Sequence, residues 1–208
     1  MTGESELGEV VKILEEAREW GFLGPGPVAD QVAHALAFAL IIDRGAGPTH
    51  AVDLGCGGGL PGLVLATRYR HTSWVFVDAH RRRIDFLADA VQRLRFAHCR
   101  VVCERAEILG RDIDFRRRFD LVVTRGFGPP AVTAECAAPF LGIGGRVLVS
   151  EPPGSDRGRW SEPGLAQLGL ALAETAPGPP AFQVLVQESL VSERFPRRVG
   201  VPTKRPIF

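Results

Sequence analysis

The chain has 208 residues, an ordinary globular composition (45% apolar, 24% charged) and a net charge of +1, which fits one domain with at most a small appendage and excludes a disordered or strongly polyanion-coated protein. No apolar run approaches the roughly 18 residues of a membrane-spanning helix. Met1 to Glu9 is acidic without an apolar core, so no secretory signal is expected and a cytoplasmic location is. Cys56, Cys99, Cys103 and Cys136 form no CxxC pair and are expected as reduced thiols.

In chain order, Leu7, Val10, Val11, Ile13, Leu14, Ala17 and Trp20 recur at helical spacing and predict a helix over 6–20, stopped by the Gly/Pro-rich stretch 21–27. A second, mostly apolar helix is predicted over 28–42 and ends before Gly45-Ala46-Gly47-Pro48. The pattern then alternates. Strands are predicted at 51–54, 74–77, 100–103, 119–123 and 145–150, and helices at 60–69, 82–96 and 131–141, with Pro129 and Pro130 suited to a first helical turn. Residues 165–173 read as a helix, 176–180 as a linker or turn, and 182–191 as a strand. Such alternation indicates a parallel sheet with helices on both faces, completed by a pair of strands at one edge.

The charge is unevenly distributed. Residues 1–30 carry seven acids against Lys12 and Arg18, whereas residues 194–208 carry Arg194, Arg197, Arg198, Lys204 and Arg205 and no acid. Arg81 to Arg83 and Arg116 to Arg118 form two further clusters, each a candidate polyanion site. The five histidines are scattered without ligand spacing, so no metal site is expected.

Asp53-Leu54-Gly55-Cys56-Gly57-Gly58-Gly59 lies between the first predicted strand and its helix. Glycine allows a ligand to approach the backbone closely at the carboxyl end of a parallel strand. Alone, the glycine pattern is compatible with several nucleotides. Asp53 would repel a pyrophosphate and attract an amino group. Asp78, at the end of the second strand, is placed to accept from ribose hydroxyls. Together these favour S-adenosylmethionine over NAD. Arg105-Ala106-Glu107 follows the third strand, where an adenine would lie; a charge favourable to a helix N-terminus explains Glu107 equally well. Arg125 and Phe127, after the fourth strand, could grip phosphate or stack on a base, or equally pair with an acid and fill core.

Several of these segments resemble the glucose-inhibited division protein B family. They are the Leu60-Pro61-Gly62-Leu63 continuation of the glycine loop, the run from Asp78 through Arg83 to Phe86-Leu87, Thr124-Arg125-Gly126-Phe127, and above all Pro196-Arg197-Arg198-Val199-Gly200-Val201-Pro202. The resemblance implies a Rossmann-like class I S-adenosylmethionine-dependent methyltransferase, with a mostly parallel seven-stranded sheet over residues 49–208 and a helical extension over 1–48. It implies methyl transfer to guanine N7 of small-subunit (16S) ribosomal RNA, with the RNA or the small ribosomal subunit as partner. By position it assigns cofactor contacts to Gly55, Leu60, Ala106, Glu107 and Arg125. The residue chemistry adds Asp53, Gly57 and Asp78. Arg125 is expected to position the reactants without shuttling protons. Arg197, Arg198 and Lys204 are the expected RNA contacts. Near-zero net charge and Glu151 keep a small-molecule acceptor as a second reading, and a non-catalytic ribosome-assembly factor is a third.

Overall fold

A computed structural model describes residues 3–176 and 179–208. Pro177 and Gly178, in the expected 176–180 linker, lie outside the described residues, as do Met1 and Thr2. The chain divides into two compact units, Met1–Cys103 and Glu104–Phe208.

The first unit comprises α1 (Gly3–Glu19), α2 (Val28–Ile42), β1 (His50–Leu54), α3 (Gly62–Arg68), β2 (Ser73–Asp78), α4 (Arg81–Arg93) and β3 (Cys99–Cys103). In α1, Val10, Ile13, Leu14 and Ala17 are buried at i, i+3, i+4 and i+7, the stripe anticipated from the sequence. The helix ends in a Schellman turn. Gly21 has φ 71°, the Phe22 amide donates to the Ala17 carbonyl at 2.8 Å, and the Gly21 amide donates to Arg18 at 2.9 Å. Arg93 of α4 reaches α1 with a two-pronged grip on Glu16, at 2.7 and 2.6 Å. The three strands are parallel in the order β3-β2-β1, and Asp53 pairs in register with Phe76. Helix α3 opens two residues later than expected, because Leu60 and Pro61 belong to the loop.

The second unit comprises α5 (Ala106–Leu109), β4 (Phe119–Thr124), α6 (Pro130–Ala137), a 3-10 turn (Ala138–Phe140), β5 (Leu141–Glu151), a second 3-10 turn (Arg157–Arg159), α7 (Glu162–Ala166), β6 (Leu170–Ala176), β7 (Ala181–Gln187) and α8 (Val201–Lys204). Its strands run β4-β5-β7-β6; β4 and β5 are parallel, and β7 is antiparallel to both neighbours. The antiparallel pair β6 and β7 fulfils the expectation of two closing strands.

Two predicted helices are corrected. The helix expected over 131–141 stops at Ala137, passes through a 3-10 turn containing Pro139 and gives Leu141 to β5. Proline lacks the amide that would continue the helix and disfavours helical backbone in the residue before it. The helix expected over 165–173 is a short α7 followed by strand β6. Leu165, Leu168 and Leu172 have helical spacing, but Gly169 turns the chain with φ 70°. Its carbonyl accepts from the Glu188 amide at 2.9 Å, and the following residues pair with β7, Leu172 opposite Leu185. Sheet pairing overrides the local period. The strand expected over 182–191 ends at Gln187.

Candidate functional site

In the first unit, β1 feeds the glycine loop that precedes α3. Gly55, Gly57 and Gly59 have φ of 76°, 55° and 109°, a region that side chains with a Cβ rarely enter. The Gly55 and Cys56 amides donate to the Val77 carbonyl at 2.8 and 3.0 Å, which ties the loop to the end of β2.

Both aspartates singled out from the sequence act on this loop. Asp53 is fully buried. Its Oδ2 accepts from the Gly62 amide at 2.8 Å, so the carboxylate expected to face a ligand amino group is turned onto the first residue of α3. Asp78 is also buried. Its Oδ2 accepts from the Gly57 amide at 3.1 Å and its Oδ1 from the His80 amide at 2.8 Å. His80 Nδ1 also lies 3.0 Å from Oδ1 and Arg83 Nη1 3.6 Å from Oδ2; a carboxylate offers about four acceptor positions, so while bracing the loop Asp78 keeps one position, on Oδ2, for a ribose hydroxyl. This donor and acceptor set fits the sugar of S-adenosylmethionine. Leu60 is buried in the same turn. Cys56 is buried against the two aspartates; burial first, and then the charges of Asp53 and Asp78, hold its thiol well above the ordinary range and keep it protonated.

The loop is also packed by the N-terminal segment, which sequence reasoning did not connect to it. A Cβ on Gly58 would lie 2.8 Å from Leu23 Cδ2 and 3.1 Å from the Cβ atoms of Ala17 and Phe22. Beside it, exposed Trp20 stacks on Phe22 at 6.2 Å between ring centres, and the Arg82 guanidinium lies 6.0 Å from the Trp20 ring.

In the second unit, β4 ends at buried Thr124, followed by half-buried Arg125, Gly126 in the left-handed region (φ 67°) and half-buried Phe127. Ala106 and Glu107 open α5 and are both buried. Glu107 Oε1 accepts from the Gly200 amide at 3.0 Å, so its carboxylate meets the C-terminal segment. Arg197, an expected RNA contact, has its guanidinium against Glu135: Nε lies 2.9 Å from Oε1 and Nη2 lies 2.6 Å from Oε2. Glu135 is fully buried in α6 and sequence reasoning missed it. Its signal is the lone charged residue of a mostly apolar helix, which requires a partner. Arg198 and Lys204 are exposed.

The Arg116–Arg118 cluster is corrected as a polyanion site at two of its three members. Arg116 donates to the carbonyls of Gly110 and Phe195 at 2.8 and 2.9 Å, and Arg117 donates to the Val191 carbonyl at 3.1 Å. Carbonyls of this segment, together with Glu193, take up donors of both guanidinium groups within the fold. Glu151 is likewise engaged, by Arg159 at 2.8 Å and by Trp160 Nε1 at 3.0 Å. Among the described residues no group of three or more His, Cys, Asp or Glu could hold a metal ion, and no helix is long and apolar enough to cross a membrane.

Parallel strands β3-β2-β1 with a glycine loop after β1 and an acid closing β2 in the first unit, and strands β4-β5-β7-β6 in the second, have the form of a class I S-adenosylmethionine-dependent methyltransferase. Two solved structures agree on the fold. A putative O-methyltransferase from Klebsiella pneumoniae matches with a TM-score of 0.56 and 12% identity over 87% of this chain and 90% of its own. A T. thermophilus 16S rRNA N2 G1207 methyltransferase, solved with AdoMet and guanosine, matches with a TM-score of 0.50 and 19% identity over 73% of this chain and 38% of its own. A family model described as rRNA small subunit methyltransferase G matches residues 28–151. The Carboxydothermus hydrogenoformans protein named ribosomal RNA small subunit methyltransferase G is 33% identical over 81% of this chain and 75% of its own length. The chain belongs to the rRNA small subunit methyltransferase G (GidB) family.

Proposed function

We propose that this chain transfers a methyl group from S-adenosylmethionine to guanine N7 of small-subunit ribosomal RNA. The observation that carries the proposal is the relationship, over four-fifths of the chain, to a protein named for that RNA. The cofactor supplies an electrophilic methyl group. Guanine N7 presents a lone pair and no proton, so transfer needs alignment and no general base. Holding reactants in line accounts for about 7–11 kcal/mol of a barrier of this kind. Gly55, Gly57 and Leu60 shape the cofactor face of the loop, and Asp78 accepts from the sugar. Asp53 fixes the start of α3 so that the loop keeps its course. Ala106 and Glu107 are proposed at the adenine end and Arg125 as the residue that orients the reactants. Residues 1–48 serve as a helical extension whose Ala17, Phe22 and Leu23 close on Gly58, and residues 49–208 as the methyltransferase domain.

The target is a looped or unpaired guanine, because N7 of a paired base lies in the deep, narrow groove of an RNA helix. The second reading, a small-molecule acceptor, rests on the near-neutral net charge and on an acid at Glu151. Arg159 and Trp160 engage that carboxylate, so it opposes RNA far less than a free acid would. The decisive experiment incubates the chain and labelled S-adenosylmethionine with small subunits or deproteinised rRNA, then digests the RNA to nucleosides. Label in 7-methylguanosine is expected. Cofactor binding without label in RNA would transfer the activity to another acceptor.

A further inference from the structure

The C-terminal segment, residues 191–205, is unusual in how its backbone is held. Three clasps, all within the second unit, reach it from separate elements. Arg116 donates to the Val191, Ser192 and Phe195 carbonyls at 3.3, 3.2 and 2.9 Å. Glu135 accepts from both the backbone amide and the guanidinium of Arg197, at 2.8 and 2.9 Å. Glu107 accepts from the Gly200 amide at 3.0 Å. Between the clasps, Val191, Phe195, Pro196 and Pro202 are buried as apolar anchors. The segment has no regular secondary structure until α8, yet its course is set residue by residue.

What the clasps leave outside is one-signed. Arg194, Arg198, Lys204 and Arg205 are exposed, and none of them makes an ion pair among the described residues. The segment's acid, Glu193, is already taken by Arg116 and Arg117. Four cations on a fixed backbone, with no local acid left to neutralise them, complement a chain of phosphates. Fixing them beforehand spares the ordering entropy that a free tail would lose on binding.

Resting on the methyltransferase reading above, we propose that residues 191–205 form a preformed phosphate-binding strap for ribosomal RNA, and that Glu135 is the positioning residue that sets it. In this arrangement Arg197 is an internal peg. The phosphate contacts belong to Arg198 and Lys204, joined by Arg194 and Arg205. The paired acid and base are what fix the strap: each would be costly if buried alone, so each holds the other in place.

The test uses the full chain with deproteinised 16S rRNA across a range of salt, alongside S-adenosylmethionine binding and tryptic cleavage after Arg194 and Arg198. The double change Arg198→Ala and Lys204→Ala is expected to lower the log–log salt slope by about 1.4, two contacts at roughly 0.7 each on single-stranded RNA. Its cofactor affinity and melting temperature stay at the wild-type values. Glu135→Gln keeps the side-chain shape and removes the charge. It is expected to weaken RNA binding about tenfold at fixed salt, to raise KM for RNA with little change in kcat, and to speed cleavage after Arg198, with cofactor affinity unchanged.

The sign of the Glu135→Gln effect separates the two possible roles of Arg197. Were Arg197 itself the RNA contact, loosening its hold on Glu135 would leave RNA affinity the same or higher, and that result overturns the proposal. Arg197→Lys, which retains the charge and loses the fork, gives the same signs at smaller size if Glu135→Gln fails to fold. Wild-type protein that binds rRNA, with a Glu135→Gln variant equal to it in RNA affinity and protease resistance, sinks the strap alone. Wild-type protein that binds cofactor and no rRNA sinks the acceptor reading, and the strap with it.

Discussion

Gly62 offers the sharpest trial of how the cofactor loop is built. It follows Leu60-Pro61, opens α3, and is buried. Its φ lies outside the left-handed region, so a search for strained glycines would pass it over. What requires glycine here is space: a Cβ would lie 2.3 Å from Phe76 Cε1 and 2.5 Å from Asp53 Oδ2. Neither neighbour can yield cheaply. Phe76 is fully buried in β2, and Asp53 is fully buried in β1 and bonded to the Gly62 amide itself. Gly62→Ala therefore overpacks the core, at about 1–3 kcal/mol, and disturbs a helix-start hydrogen bond that contributes about 1 kcal/mol. For a chain of this length 1 kcal/mol corresponds to roughly 2–4 °C, so the variant should melt about 4–16 °C below wild type. Because the displaced carboxylate lies under the loop, S-adenosylmethionine affinity should fall with it.

The assay is a thermal melt with and without cofactor, with Gly8→Ala as the control. Gly8 sits exposed within α1, and a Cβ added there would meet nothing within 4 Å, so alanine there removes backbone freedom from the unfolded chain. It should stabilise by about 0.5–1 kcal/mol. The same chemical change thus moves stability in opposite directions at two helical glycines. A Gly62→Ala protein that melts within a degree of wild type and binds cofactor equally well would refute the argument that Asp53 and Phe76 leave no room.

Two further outcomes follow from the buried acids and thiols. Asp78→Ala removes the acceptor of the Gly57 and His80 amides, and cofactor binding by calorimetry should weaken at least about tenfold, the size of one charge-assisted hydrogen bond; an affinity within twofold of wild type would remove Asp78 from the site. Burial raises the thiols of Cys56 and Cys136 and pushes that of Cys99 up to about 12. The folded chain thus keeps protons that the unfolded chain releases above pH about 8.5. The thiols' contribution to stability in chemical denaturation should be flat below that pH and fall above it, by up to about 1.4 kcal/mol per pH unit per thiol, and native Cys56 should resist thiol reagents; a stability unchanged between pH about 8 and about 10 would contradict this.

The fold was legible where local chemistry and tertiary demand agree. Helix α2 occupies the residues its apolar run and flanking Pro27 and Gly45 indicate, and β1, β2 and β3 each lie within a residue of their apolar runs. The glycine loop was legible because positive φ leaves a compositional trace. Legibility failed where the deciding partner is distant in sequence. Leu165, Leu168 and Leu172 carry a helical period that pairing with β7 overrules. Glu135 and Arg197 are 62 residues apart, so nothing near Arg197 distinguishes a peg from an RNA contact.

The acids mark the same limit, and in one direction. Sequence position presents Asp53, Asp78 and Glu107 as groups facing a ligand, yet each gives at least one oxygen to a backbone amide of the chain. Glu135 and Glu151 are occupied by arginines. A carboxylate at the end of a strand is surrounded by amides that helix starts and tight turns leave unpaired, and these lie closer than any ligand. Arg197 aside, the cations of the C-terminal segment make no ion pair among the described residues, and the Val191, Arg194 and Phe195 carbonyls beside them already accept from Arg117, Arg111 and Arg116. A net charge of +1 therefore sums unlike populations: first, buried acids bonded within the fold and surface ion pairs such as Arg93 with Glu16, and second, the exposed C-terminal cations Arg194, Arg198, Lys204 and Arg205, which make no ion pair among the described residues. Only the second population meets a polyanion, so a near-neutral total is compatible with a binding surface that responds to salt as strongly as its few phosphate contacts dictate.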